Sequence, residues 1–261
     1  FFNETGTSFF AQGNMLFLFL EKKYLAIRTF KALNKFTNHF MEAVLDFLER
    51  LKKNNNREWF SLHKEEFQTV QSRVKDFYGK VFRGLEVHDK IEKFKLFRIY
   101  RDLRFSKDKT PYKPHFAGSF SRKGNELRGG YYLRIRPGES FLAGGFWAPN
   151  KEDLFRIRKE FEFGDQEIRY ILNEAKFKRY FRGELHGDEL KTAPKGFQKD
   201  DPAIDLIRKK GFIAVRNFSD AEVLSEDFEK EVAQSFEALR PFFDYMSEVL
   251  TTDLNGTSLI A

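Results

Sequence analysis

Residues 131–147 run Tyr-Tyr-Leu-Arg-Ile-Arg-Pro-Gly-Glu-Ser-Phe-Leu-Ala-Gly-Gly-Phe-Trp. Two strand-like runs, Tyr131 to Arg136 and Phe141 to Trp147, flank Pro137-Gly138, a dipeptide that marks a tight turn. Strands joined by so short a turn, with no crossover helix, pair antiparallel. Gly144-Gly145 inside the second run is costly unless a bulge or a close backbone approach requires it. A third run, Phe116 to Ser121, lies upstream.

Further back, Phe97 to Phe105 also alternates with a period of two. As a strand it would place Phe97, Ile99, Leu103 and Phe105 on one face, and Arg98, Tyr100, Asp102 and Arg104 on the other. A polar loop, Ser106 to Pro114, would follow. Around these strands the period lengthens. Val44, Phe47, Leu48 and Leu51 mark a helix over about 42–53, ended by Asn54-Asn55-Asn56. A longer helix from about Arg57 carries Phe60, Phe67, Val70, Val74, Phe77, Val81 and Leu85 on one stripe. Asn150 caps another helix, and one more starts near Asp165. Asp201-Pro202 opens a short helix closed by Gly211. A strand, Phe212 to Arg216, precedes Ser219 and Glu222 at capping-box spacing. A helical hairpin breaking near Pro241 ends the domain. The expected class is α+β: one domain over 41–250, a central antiparallel sheet flanked by helices, and a frayed tail over 251–261.

The chain has 261 residues, 41% hydrophobic and 17% aromatic, enough for a sizeable core and against disorder. It has no cysteine, which excludes disulfides, thiolate chemistry and cysteine-ligated zinc and suits a reducing compartment, so a cytoplasmic location is expected. The net charge is +7. Residues 1–40 hold five cations against two acids, so the remainder is only mildly basic and charge alone argues weakly for nucleic acid. Residues 1–40 read as an extension outside the domain, with Met41 the natural initiator; organelle targeting and a membrane-surface helix are the alternatives. The run Met15 to Leu20 is too short to span a bilayer.

The chemistry concentrates in residues 98–113, Arg-Ile-Tyr-Arg-Asp-Leu-Arg-Phe-Ser-Lys-Asp-Lys-Thr-Pro-Tyr-Lys. On a strand, Arg98, Asp102 and Arg104 would share a face, with successive same-face residues roughly 6.6 Å apart. The aspartate would stay ionised and fix the guanidinium planes, leaving donors for a phosphate or carboxylate. Lys109 and Tyr112 could complete the ring. A solvated face or a cross-strand ionic ladder would use the same residue types. The five histidines lack metal-ligand spacing; His115 follows closely enough to reach the site as an acid or base. Trp59 reads as a core anchor and Asp188 as turn chemistry. No phosphate-binding loop, dinucleotide glycine pattern, zinc-protease motif or nucleophile elbow occurs.

Arg98, Arg101, Asp102, Arg104, Phe105, Asp108, Lys109 and Tyr112 match the pattern Arg-x-x-Arg-Asp-x-Arg-Phe-x-x-Asp-Lys-x-x-Tyr, and the chain thereby resembles domain-of-unknown-function family 2461. Asn55 to Phe60, Gly129 to Tyr132, Pro137-Gly138, Gly144-Gly145 before Trp147, and Lys195 to Phe197 fit as well. The resemblance covers about Met41 to Leu250 and implies a place without a reaction. One departure is Arg134, where the resemblance implies a histidine.

Three functions follow. The first is an enzyme on an anionic, phosphorylated substrate. In it Arg98, Arg101, Arg104, Lys109 and His115 bind, Asp102 orients the arginines or holds a metal, and Tyr112 donates a proton or attacks. The second is a non-catalytic module for a nucleotide, a nucleic acid or an acidic partner, with Lys107, Lys113, Arg122, Lys123 and Arg128 extending a basic track. The third is a structural ionic network. No cofactor is named by any of them.

Overall fold

The computed structural model describes residues 40–104 and 106–260. The readings made for residues 1–39 and for Phe105 lie outside them. Helix α1 spans residues 40–53 and buries Val44, Phe47, Leu48 and Leu51, the stripe that the helical period marks. Phe40, counted above with the extension, is its first residue and is buried.

The long helix expected from Arg57 is two helices, α2 (Arg57–Leu62) and α3 (Lys64–Glu86). His63 sits between them at φ −106°, ψ 19°, with its ring stacked on Trp59 at 4.0 Å. Its Nδ1 lies 2.8 Å from the Trp59 carbonyl, which also accepts the His63 backbone N–H at 3.2 Å, so ring and backbone together close the end of α2.

The sheet contains β1 (Ile91–Leu96), β2 (Phe116–Arg122), β3 (Gly130–Ile135), β4 (Ser140–Phe146) and β5 (Phe212–Phe218), neighbours in chain order and antiparallel throughout. The expected strand over 97–105 does not form. β1 comes before it, and residues 97–104 and 106–115 loop out between β1 and β2, with one isolated bridge among the described residues, Tyr100 to Tyr112.

Gly145 has φ +146°, and a Cβ there would meet the Phe212 carbonyl oxygen at 2.1 Å; a Cβ on Gly144 would meet a Leu239 methyl at 2.3 Å. The close backbone approach expected of this pair therefore exists at Gly145, against the neighbouring strand β5, while Gly144 is met by side chains of the helix layer. Between β4 and β5 lie α4 (Lys151–Phe163), α5 (Gln166–Asn173), α6 (Ala175–Phe181) and α7 (Ile204–Ile207). α7 ends four residues before Gly211, the expected stop. After β5 come α8 (Asp220–Val223), held by the Ser219/Glu222 capping box, α9 (Phe228–Glu237) and α10 (Arg240–Thr251). Residues 252–259 fold back as a bridged turn, with Arg156 donating to the Thr252 carbonyl, rather than fraying.

Helices cover one face of the sheet. α3 packs on β1 and β2 and against α9, and α10 packs against α4 and α5. Along β3, Tyr131, Leu133 and Ile135 are buried under that layer, while Tyr132 and Arg134 are only half-buried on the opposite, open face. Tyr78 of α3 fastens the two layers by donating its hydroxyl to the Leu133 carbonyl at 2.9 Å.

Candidate functional site

The loop 97–115 stands at one edge of the open face. Asn55 clasps it by donating Nδ2 to the Tyr112 carbonyl at 2.9 Å and accepting the Tyr112 N–H at 3.1 Å, as a neighbouring strand would. The Tyr112 ring is buried and stacks on Phe60 at 4.0 Å. Burial holds its phenol above the ordinary value, so it is protonated at neutral pH.

The arginines are distributed differently from the expected strand face. Asp102 is exposed and accepts both arms of Arg104, at 3.0 and 2.7 Å, and these bonds hold its carboxyl below the usual range. Arg101 pairs with Asp108 at 2.7 Å, and its Nε is buried without a hydrogen-bond partner. Lys109 donates to the Leu103 carbonyl at 3.0 Å. Arg98 is exposed, and its carbonyl accepts from Lys113 at 3.4 Å. Asp102 and Tyr112 are not linked by any hydrogen bond between them.

His115 is where the loop meets the sheet. Two residues on, Ala117 pairs with Arg134, so His115 follows the open-face parity of β2. Its ring is largely buried, and its Nδ1 has no hydrogen-bond partner. Burial first, then the positive fields of Arg134, Lys113, Arg136 and Arg101, lower its pKa to about 4. The ring is therefore neutral at pH 7. Arg134 and Arg136 share one carboxylate, Glu139, at 3.6 and 3.1 Å. Arg134 also donates to the Glu139 carbonyl at 3.0 Å and lies over Phe141, its Cζ 4.4 Å from the ring centre.

Arg134 lines a cavity of about 970 Å³ on the open face. Tyr132, Phe141 and Ala143 form its floor, and Ile213 and Val215 of β5 continue it. Exposed Trp147 stands at its rim, with His186, Asp188 and Lys210 on the segment that bridges to β5. Asp102 and Tyr112 do not line it.

The basic track drawn through Arg122 and Arg128 is absent. Arg122 is fully buried beside Asp89, and Arg128 pairs with Asp153. No cluster of three histidines or acidic residues suited to a metal occurs among the described residues, nor does any helix among them have the length and apolarity to cross a membrane.

Tyr132, Phe141, Trp147 and Arg136 were not singled out from the sequence as site residues. The alternation of residues 131–136 held the signal, since it sets Tyr132, Arg134 and Arg136 opposite Tyr131, Leu133 and Ile135. No curated protein and no solved structure matches the chain at a significant level. A family model described as a conserved hypothetical protein matches residues 43–245, and the chain therefore belongs to domain-of-unknown-function family 2461.

Proposed function

We propose that the protein binds an anionic, phosphorylated ligand on the open face of its sheet, with the anion seated beside Arg134. One observation carries this reading. Arg134 borders the cavity on one side and the cations around His115 on the other, and it shares its single carboxylate with Arg136. Half-buried guanidinium groups short of carboxylate partners repel one another, and a phosphate that accepts from them relieves the repulsion. The apolar floor beyond Arg134 would take the rest of the ligand.

Binding without catalysis is favoured over the enzyme reading. Asp102 is engaged in solvent by Arg104, and Tyr112 is packed beneath Phe60, so both stand apart from the cavity. In this reading the protein works in the cytoplasm, a reducing compartment that suits a chain without cysteine.

Thermal denaturation with phosphate and pyrophosphate tests the reading. At about ten times Kd, a ligand specific to the folded state adds about 1.4 kcal/mol, or about 3–5 °C in Tm. Arg134→Gln should abolish the shift, and Arg101→Ala should weaken it. No shift in wild type at millimolar pyrophosphate would sink the proposal.

A further inference from the structure

The open face carries more than a single anion seat. Strand register puts Ala117, Ser119 and Ser121 of β2 on this face, opposite Arg134, Tyr132 and Gly130 of β3. These small β2 residues form a low floor, and larger rings meet above it. Phe97, whose N–H donates to the Ala117 carbonyl, lies 6.4 Å from Tyr132 between ring centres, and Tyr132 lies 5.4 Å from Phe141. Three aromatic side chains thus cross the sheet in a row, all half-buried on the side away from the helices. A cation lies over each end: Lys95 Nζ is 5.8 Å from the Phe97 centre, and Arg134 Cζ is 4.4 Å from that of Phe141.

Core packing does not explain this row, because the helices bury the other face. Aromatic rings interleaved with cations on an open sheet are the chemistry that binds unpaired nucleobases and their phosphates. Bases stacked in a duplex repeat every 3.4 Å along a strand, whereas these rings stand 5.4 and 6.4 Å apart, a spacing for bases splayed one by one. The cations are strung along the row rather than gathered at one point. Lys93 and Lys95 stand exposed on β1, two strands away from β3, where the register sets Lys95 level with Tyr132 and Lys93 level with Gly130 rather than with Arg134. A mononucleotide would use only one end of such a track.

We propose that this face binds single-stranded nucleic acid, with bases stacking on Phe97, Tyr132 and Phe141 and phosphates running past Lys95 and Arg134. This rests on the anion seat at Arg134 and extends it from one phosphate group to a polymer.

Fluorescence anisotropy with the full chain tests it, using labelled oligothymidine and oligouridine of about 12 nucleotides and a duplex of the same length. Both single strands should bind more tightly than the duplex. Uridine binding above thymidine would identify RNA as the source of the strand, and the reverse order DNA. Affinity should fall steeply between about 50 and 200 mM salt. Phe141→Ala and Phe97→Ala should each weaken binding about tenfold or more. Phe97→Ala, separated from Arg134 by β2, removes none of the contacts of Arg134 to Glu139 and Phe141 and should keep the wild-type pyrophosphate shift, which shows that the fold and anion seat survive. Pyrophosphate stabilisation without oligonucleotide binding would overturn this inference and leave the anion seat standing. Absence of both would overturn both. Oligonucleotide binding that neither phenylalanine variant weakens, or that favours the duplex, would overturn the stacking row.

Discussion

A neutral imidazole among guanidinium groups is the residue-scale feature that most separates this surface from an ordinary charged one. Unfolded, His115 takes up its proton near pH 6.5; folded, it does so only at about 4. Between those values the unfolded chain holds more protons, so stability is full above about pH 6.5 and declines as pH falls towards 4. The ring is partly open to solvent, which trims the contribution to about 1–2 kcal/mol. Urea denaturation of wild type and His115→Gln at about pH 7.5 and about pH 4.5 checks this. Wild type should lose about 1–2 kcal/mol more than the variant on acidification, whereas equal losses would show that the ring is not held neutral. Phosphate at the proposed seat would offset the surrounding cations, so NMR titration of the ring should find its pKa moved upward in phosphate. The sequence brought His115 to notice through its closeness to the signature and Arg134 as a departure from the family pattern. It could not show that they share a field, because residues on different strands meet only once register is set.

At the scale of elements, the loop 97–115 and the strand β1 exchanged places in the sequence reading. Residues 97–105 alternate cleanly, yet β1 is Ile91–Leu96, whose alternation is broken by a register shift between Ile91 and Lys93. A bulge places two polar residues in succession, and periodicity is blind to it. The hairpin 130–146 was legible because its turn dipeptide and its glycines each have one structural use. The loop is held instead by Asn55, which the sequence marked as a turn former and as part of the family resemblance but gave no partner. Asn55→Ala leaves the Tyr112 N–H and carbonyl without partners and should destabilise by about 1–3 kcal/mol. Hydrogen exchange should quicken across residues 99–113. Asn54→Ala, which removes only an exposed bond to the Arg50 carbonyl, should change stability by about 0.5 kcal/mol or less. Equal effects of the two substitutions would rule out the clasp. Gly145→Ala should cost about 2 kcal/mol or more, since the backbone of β5 would have to move away from the new Cβ. A variant as stable as wild type would refute that close approach.

Across the whole molecule, the central antiparallel sheet with flanking helices followed from periodicity, but what joins sheet to helices did not, because it depends on charges far apart in the chain. Asp89, at the turn from α3 into β1, is fully buried and accepts the Tyr131 hydroxyl at 2.6 Å. Arg122 Nε, at the end of β2, lies 2.7 Å from it, and Arg240 of α10 pairs with it as well. Arg122 also donates to Asp244 and Ser247 of α10 and to the Arg128 carbonyl. One carboxylate thus ties the α3–β1 turn, two strands and the last helix together. In sequence Asp89 was one acid among 39 and Arg122 a surface candidate. Such a knot adds little over a well-packed apolar core, but removing one member leaves the others charged and desolvated. Asp89→Asn keeps the shape and removes the charge, so it should destabilise by about 3–5 kcal/mol. Asp244→Asn removes a half-exposed partner of the same arginine and should cost about 1 kcal/mol or less. Urea denaturation separates the two variants. Losses of similar size would mean that Asp89 is reached by solvent, and that the sheet and α10 are joined by packing rather than by this buried charge.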